Sequence, residues 1–224
     1  MNRIKGLIVK DLLQLKSYRK TLVTFIAVFI AVSFLDTNKE SIETTIILMM
    51  TLGLGMFSIA TFNYDEMAKA DRYILTLPVN RKDIVLSKYI LVVISTFVGA
   101  ILGMILSVGM TYAIYQEIPE MMYLMSLAMG GIFGLGVVNA IQIPCIFKYG
   151  AEKGRIQRFI ALAVICLMFY GIFYLFQRFN IHIEIQSTID MVKNYSVIIL
   201  IPTVLILYYV SYKISYMIYR KKEL

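Results

Sequence analysis

Few side chains in this 224-residue sequence could do covalent or metal chemistry. The single histidine, His182, stands between Ile181 and Ile183 with no evident partner, a setting in which a loop histidine is more often solvated than catalytic. Cys145 and Cys166 both sit in apolar runs, where burial explains them better than pairing or metal binding, so no metal site is expected. No GxxxxGK[ST] phosphate loop occurs, so the chain is not expected to hydrolyse ATP by that route. Within the long apolar stretches the ionisable groups are Arg19 and Lys20, at the start of the first, and Lys213, placed to snorkel to the interface. A membrane protease or an ion-coupled carrier needs titratable groups or metal ligands at depth. Their scarcity predicts a non-catalytic chain.

The polar residues that do cluster suit contact rather than catalysis. Asp65, Glu66, Lys69, Asp71, Arg72 and Tyr73 crowd the connection 63–88, NYDEMAKADRYILTLPVNRKDIVLSK. Asp65–Leu75 is helix-compatible, Leu77-Pro78 breaks it, and Asn80 can cap a second helix with Asp83 in its first turn. A short helix held between two membrane helices could act as a lever or be a surface helix without a partner.

These residues must be positioned by membrane helices. With 59% hydrophobic and 16% charged residues, the chain carries more apolar side chain than a soluble domain of its size can bury. A bilayer core of about 30 Å needs about 20 apolar residues in a helix. Six runs qualify: Tyr18–Leu35, Thr44–Phe62, Tyr89–Tyr115, Met121–Phe147, Phe159–Phe176 and Ser196–Tyr219. Of the 22 Lys and Arg residues, eighteen fall on one side, Lys39, Arg178 and Lys193 on the other, and Lys213 inside the last run. The positive side stays in the cytoplasm, which places both termini there and leaves short outer loops at Asp36–Glu43, Gln116–Glu120 and Gln177–Tyr195. The net charge of +8 is spread between apolar runs, so the membrane surface, not nucleic acid, is the expected anionic partner.

The helices carry their own signals. Ser95, Gly99, Gly103 and Ser107 fall on one face of the third span, and Ser126, Gly130 and Gly134 on one face of the fourth, with Gly131 and Gly136 beside them. Small residues let backbones approach closely, so these faces predict packing between the two hairpin partners, or else a subunit interface or sliding surface. Asn139, Gln142 and Pro144 interrupt the fourth span, and the proline frees a carbonyl that needs another partner. Interhelical hydrogen bonding or the lining of a translocation path would account for them. Pro202 suggests a bend, and Tyr208, Tyr209, Tyr212, Tyr216 and Tyr219 an inner aromatic belt. Before the first span, Ile4, Leu7, Ile8, Leu12 and Leu15 recur at helical spacing, which predicts an interface helix over 1–17 with Asp11 at the edge of its apolar stripe, placed for a protein contact. This amphipathic segment lacks the pattern of a cleaved secretory signal and is expected to be retained.

The stretch RYILTLPVNRKDIVLSKY at Arg72–Tyr89, the VKDLL at Val9–Leu13 and the six spans resemble the small bacterial ABC-2 type transporter permeases, over most of the chain. The resemblance implies an all-α membrane protein: one permease domain over 1–224 in the bacterial cytoplasmic membrane, with an interface helix and a coupling helix in the loop 63–88. It implies a second permease copy or paralogue, and two separate ABC ATPase subunits that hold the ATP and Mg, this chain having no cofactor of its own. In lacking a large outer domain the chain is similar to exporters of amphipathic or antimicrobial peptides, the phenol-soluble modulin type among them. Two other readings stay open: an ion-driven carrier, which would need a midplane carboxylate and an internal repeat, and an ATP-independent accessory or immunity protein, which co-purification with an ATPase would exclude.

Overall fold

Long apolar segments in lipid must satisfy their backbone groups internally, which a helix does within one segment. The computed structural model describes residues 2–17, 19–33, 38–74, 76, 79–151, 153, 154, 156, 159, 160, 163 and 185–221, without the side chains of 2, 3, 17, 33, 71, 72 and 185–201. Among the described residues there is no strand. The helices are α1 (Asn2–Ser17), α2 (Arg19–Ser33), α3 (Lys39–Phe57), α4 (Ala60–Met67), α5 (Ala70–Ile74), α6 (Arg81–Tyr115), α7 (Met121–Tyr149) and α8 (Ile185–Lys221). Among the described residues, three stretches are long and apolar enough to cross a membrane: Lys39–Met67, α6 and α7. Most of the expected fifth span, 159–176, lies outside the described residues, as do Cys166, His182, Leu77 and Pro78.

Several local expectations are corrected. The helix expected over Asp65–Leu75 is two helices, because Lys69 adopts a left-handed backbone at φ 48 and the chain turns there. Asn80 does precede α6, but in an extended conformation and without a side-chain capping bond; its carbonyl starts the helix by accepting from Asp83. The last helix begins at Ile185, well inside the outer loop expected at 177–195, and it runs through Pro202.

Helix pairing also differs from the simple hairpin. Gly99 and Gly103 of α6 face α3, not α7: a Cβ added at Gly99 would lie 2.8 Å from the Met50 carbonyl oxygen, and one at Gly103 would lie 3.1 Å from Ile47 Cα. Ser107 continues this buried face, while Ser95 is half-buried and donates to the Leu91 carbonyl. On α7 the glycines that pack are Gly131, against Leu48 and Thr51 of α3, and Gly136, against Val204 and Tyr208 of α8. Gly130 and Gly134 are exposed and meet nothing within 4 Å. The small-residue face of α6 is filled by α3 because α3 lies along it, leaving α7 to reach α3 and α8 from the side.

Pro144 does leave a carbonyl free, and the structure supplies its partner. Ser211 Oγ of α8 donates to the Ala140 carbonyl at 2.7 Å. The Tyr89 hydroxyl of α6 in turn bonds Ser211 and Ser215 at 2.6 and 2.8 Å, so one polar node joins α6, α7 and α8. Tyr208 and Tyr212 stack edge-on against Tyr89, and Tyr219 is buried at 1% exposure. Only part of the expected aromatic belt is therefore available to the interface, Tyr209 being its exposed member at 60%.

Candidate functional site

One end of the bundle gathers most of the candidate functional residues. Its apolar base joins Leu7 of α1, Phe62 of α4, Ile84, Val85 and Tyr89 of α6, Ile143 and Phe147 of α7 and Tyr219 of α8. The rings of Phe62, Phe147 and Tyr219 meet edge to face at 5.5 and 5.4 Å. Arg81, the first residue of α6, donates to the Tyr219 and Arg220 carbonyls at 3.2 and 2.6 Å, which satisfies terminal carbonyls of α8.

Set into this base is a buried cluster of two ammonium and two carboxylate groups. Lys88 Nζ lies 3.0 Å from Asp11 Oδ1 and 2.6 Å from Asp65 Oδ2, and donates to Thr61 Oγ1 at 3.1 Å. Lys10 Nζ reaches Asp65 Oδ1 at 2.7 Å and Asp11 Oδ1 at 3.1 Å, and Gln14 Nε2 donates to Asp65 Oδ1 at 3.0 Å. Asp11 and Lys88 are 1% and 4% exposed, so each charge depends on its neighbours in place of water. Burial works to lower the Lys10 pKa, but its bond to Asp65 and the charges of Asp11 and Asp65 outweigh that and raise it above the ordinary lysine value.

The adjacent carboxylate points to another element. Glu66 accepts the backbone N–H of Ala151, just beyond α7. Gly150 makes this approach possible: its φ is +85, and a Cβ there would lie 2.6 Å from Glu66 Oε1. The Asp65–Glu66 pair thus ties the loop base to α1, to α6 and to the chain after α7.

Past these anchors the chain turns outward. Met67 and Tyr73 expose 83% and 81% of their surface, and Lys69 between them is exposed as well. The residues expected to act together therefore divide: Lys69 and Tyr73 stand at an exposed tip, Glu66 braces it, and Asp65 is turned inward. The side chains of Asp71 and Arg72 lie outside the described residues. On α1, Leu7 and Asp11 face the protein and Ile4, Ile8 and Leu15 are half-buried, whereas Leu12 is 49% exposed beside Val9 and Leu13. The outward face of α1 is accordingly apolar too, and it is centred on Val9, Leu12 and Leu13 rather than on the expected stripe.

Asn139 and Gln142 are buried within the bundle, Asn139 beside Tyr208. Nearby, an apolar groove of about 260 Å³ opens between α6, α7 and α8, lined by residues including Phe97, Met129, Phe133, Leu205 and Tyr208.

A family model described as ABC-2 family transporter protein matches residues 6–220, which takes in every helix named above except the first residues of α1 and the last of α8. This chain belongs to that family. An ABC-2 family transporter protein is a membrane transport component that typically works with an ABC ATPase. No curated protein and no solved structure matches the chain.

Lys10, Gln14, Thr61 and Lys88 escape sequence reasoning about the site. Lys88 stands one residue before the third span, where a lysine ordinarily reads as an interfacial charge. Its signal is the pair of acids, Asp11 at the edge of the α1 apolar stripe and Asp65 three residues after the apolar run that ends at Phe62.

Proposed function

We propose that this ABC-2 family protein is the permease subunit of an exporter, driven by a separate cytoplasmic ATPase that docks on the α4–α5 turn. The observation that carries the reading is the exposed pair Met67 and Tyr73 on a turn whose base is held by buried charge. Large apolar side chains this exposed are a ready anchor for a protein cleft, and tyrosine and methionine are favoured at interface cores. A stiff base allows a docked ATPase to move the spans instead of merely bending the loop. In this reading the chain spans the bacterial cytoplasmic membrane six times with both termini inside, pairs with a second copy or paralogue, and binds two ATPase subunits.

The substrate class that best suits it is an amphipathic peptide. The groove between α6, α7 and α8 offers apolar contact for such a substrate's hydrophobic face, with the Tyr208 ring at one wall. The test is co-expression of the chain with candidate ABC ATPases, purification in detergent, and reconstitution. A stable complex whose ATP hydrolysis rises with added amphipathic peptide supports the reading. A chain that purifies without any ATPase and still confers peptide resistance on cells would replace it with the accessory-protein reading.

A further inference from the structure

A loop held only at its own ends would move only the helices it joins, α4 and α6. Glu66 already ties its base to the chain after α7, and the charge cluster adds an attachment to α1. From α1 come Lys10, Asp11 and Gln14, from α4 Thr61 and Asp65, and from α6 Lys88. Lys88 Nζ has three N–H donors and three acceptors, Asp11, Asp65 and Thr61, so withdrawal of α1 would leave a buried donor unmet. The same withdrawal would strip Asp65 Oδ1 of both Lys10 and Gln14. Leu7, one turn before Asp11, is buried in the apolar base beside the cluster. α2 begins two residues after α1 ends, at Arg19 following Ser17.

We infer that Asp11 and Lys88 are positioning residues of the coupling step: they lock α1 to the base of the α4–α5 turn, so that a displacement of that turn moves α1 as one body with α6 and reaches α2. This rests on the reading of the chain as an ATP-driven permease. It assigns α1 a mechanical role beyond lying in the interface. The exposed Val9, Leu12 and Leu13 face would slide along the inner leaflet while the opposite face stays bolted to the loop.

The informative variant is Lys10→Met with Asp11→Leu and Gln14→Leu, which removes every α1 partner of Lys88 and Asp65. It removes both charges that α1 contributes to the cluster yet leaves the Lys88–Asp65 pair at 2.6 Å and the cluster neutral, so the bundle keeps its remaining ion pair. Spin labels at Leu13 and Lys82, both exposed, report the separation of α1 from the start of α6 in the purified permease–ATPase complex, with Cys145 and Cys166 replaced. The expected result is one narrow distance, identical without nucleotide and after ATP–vanadate trapping, that broadens in the variant while the ATPase still co-purifies. A wild-type distance that changes on trapping, or a variant distribution as narrow as wild type, overturns the inference. Failure of the wild-type chain to bind any ATPase overturns the functional reading and takes the inference with it.

Discussion

Replacing Gly99 by alanine tests the close contact between α3 and α6. The added Cβ would lie 2.8 Å from the Met50 carbonyl oxygen and 3.1 Å from both Thr51 Cα and Leu54 Cβ. Two of these three neighbours are backbone atoms, so relief requires α3 to move away from α6. Overpacking of this kind costs about 1–3 kcal/mol. Alanine also gains about 1 kcal/mol of helix propensity over glycine, which would obscure a single measurement. Gly130→Ala supplies the same gain at a site where nothing lies within 4 Å, so the propensity term cancels in the difference. The two variants should therefore differ by about 1–3 kcal/mol, Gly99→Ala being the less stable. Reversible unfolding of the purified protein in mixed micelles, followed by helical circular dichroism, gives the comparison. Equal stabilities would refute the close approach of α6 to α3.

Three other outcomes follow from the same geometry. Lys88→Met should destabilise the fold by about 3–5 kcal/mol in the same unfolding assay because it leaves two buried carboxylates to share the single ammonium of Lys10, and adding Asp11→Asn should recover much of the loss by restoring neutrality. Ser211→Ala should cost about 1–3 kcal/mol, since the Ala140 carbonyl freed by Pro144 loses its donor, whereas a similar change at the exposed Ser126 should be near neutral. In intact cells of a cysteine-free background, Asn38→Cys should label with an impermeant maleimide and Lys153→Cys should not; the reverse pattern would invert the orientation.

The membrane character and the positions of several long helices are legible in the sequence because lipid imposes a length and polarity rule on each span separately. α6 and α7 begin and end close to the expected spans for that reason, extended by Arg81–Lys88 and Lys148–Tyr149. Pairing is less legible. Adjacency in the chain favours α6 against α7, yet the Gly99–Gly103 face goes to α3, and nothing in a glycine spacing names the helix that fills it. The site divides in the same way. An exposed, charged loop is visible in 63–88, but the inward turn of Asp65 depends on Lys10 and Lys88, which are distant in sequence and stand where cations are common for another reason. The break at Lys69 is hidden because a left-handed lysine has no sequence mark comparable to glycine.

The central claim is that the α4–α5 turn is where a separate ATPase engages this permease. A photo-reactive phenylalanine analogue placed at Tyr73 and, as a control, at the 77% exposed Ile118 between α6 and α7, beyond the far end of α6, tests it directly in cells expressing the complete transporter. The account predicts a crosslink from position 73 to a nucleotide-binding polypeptide and none from position 118. No ATPase adduct at position 73, or an equal one at position 118, would contradict it.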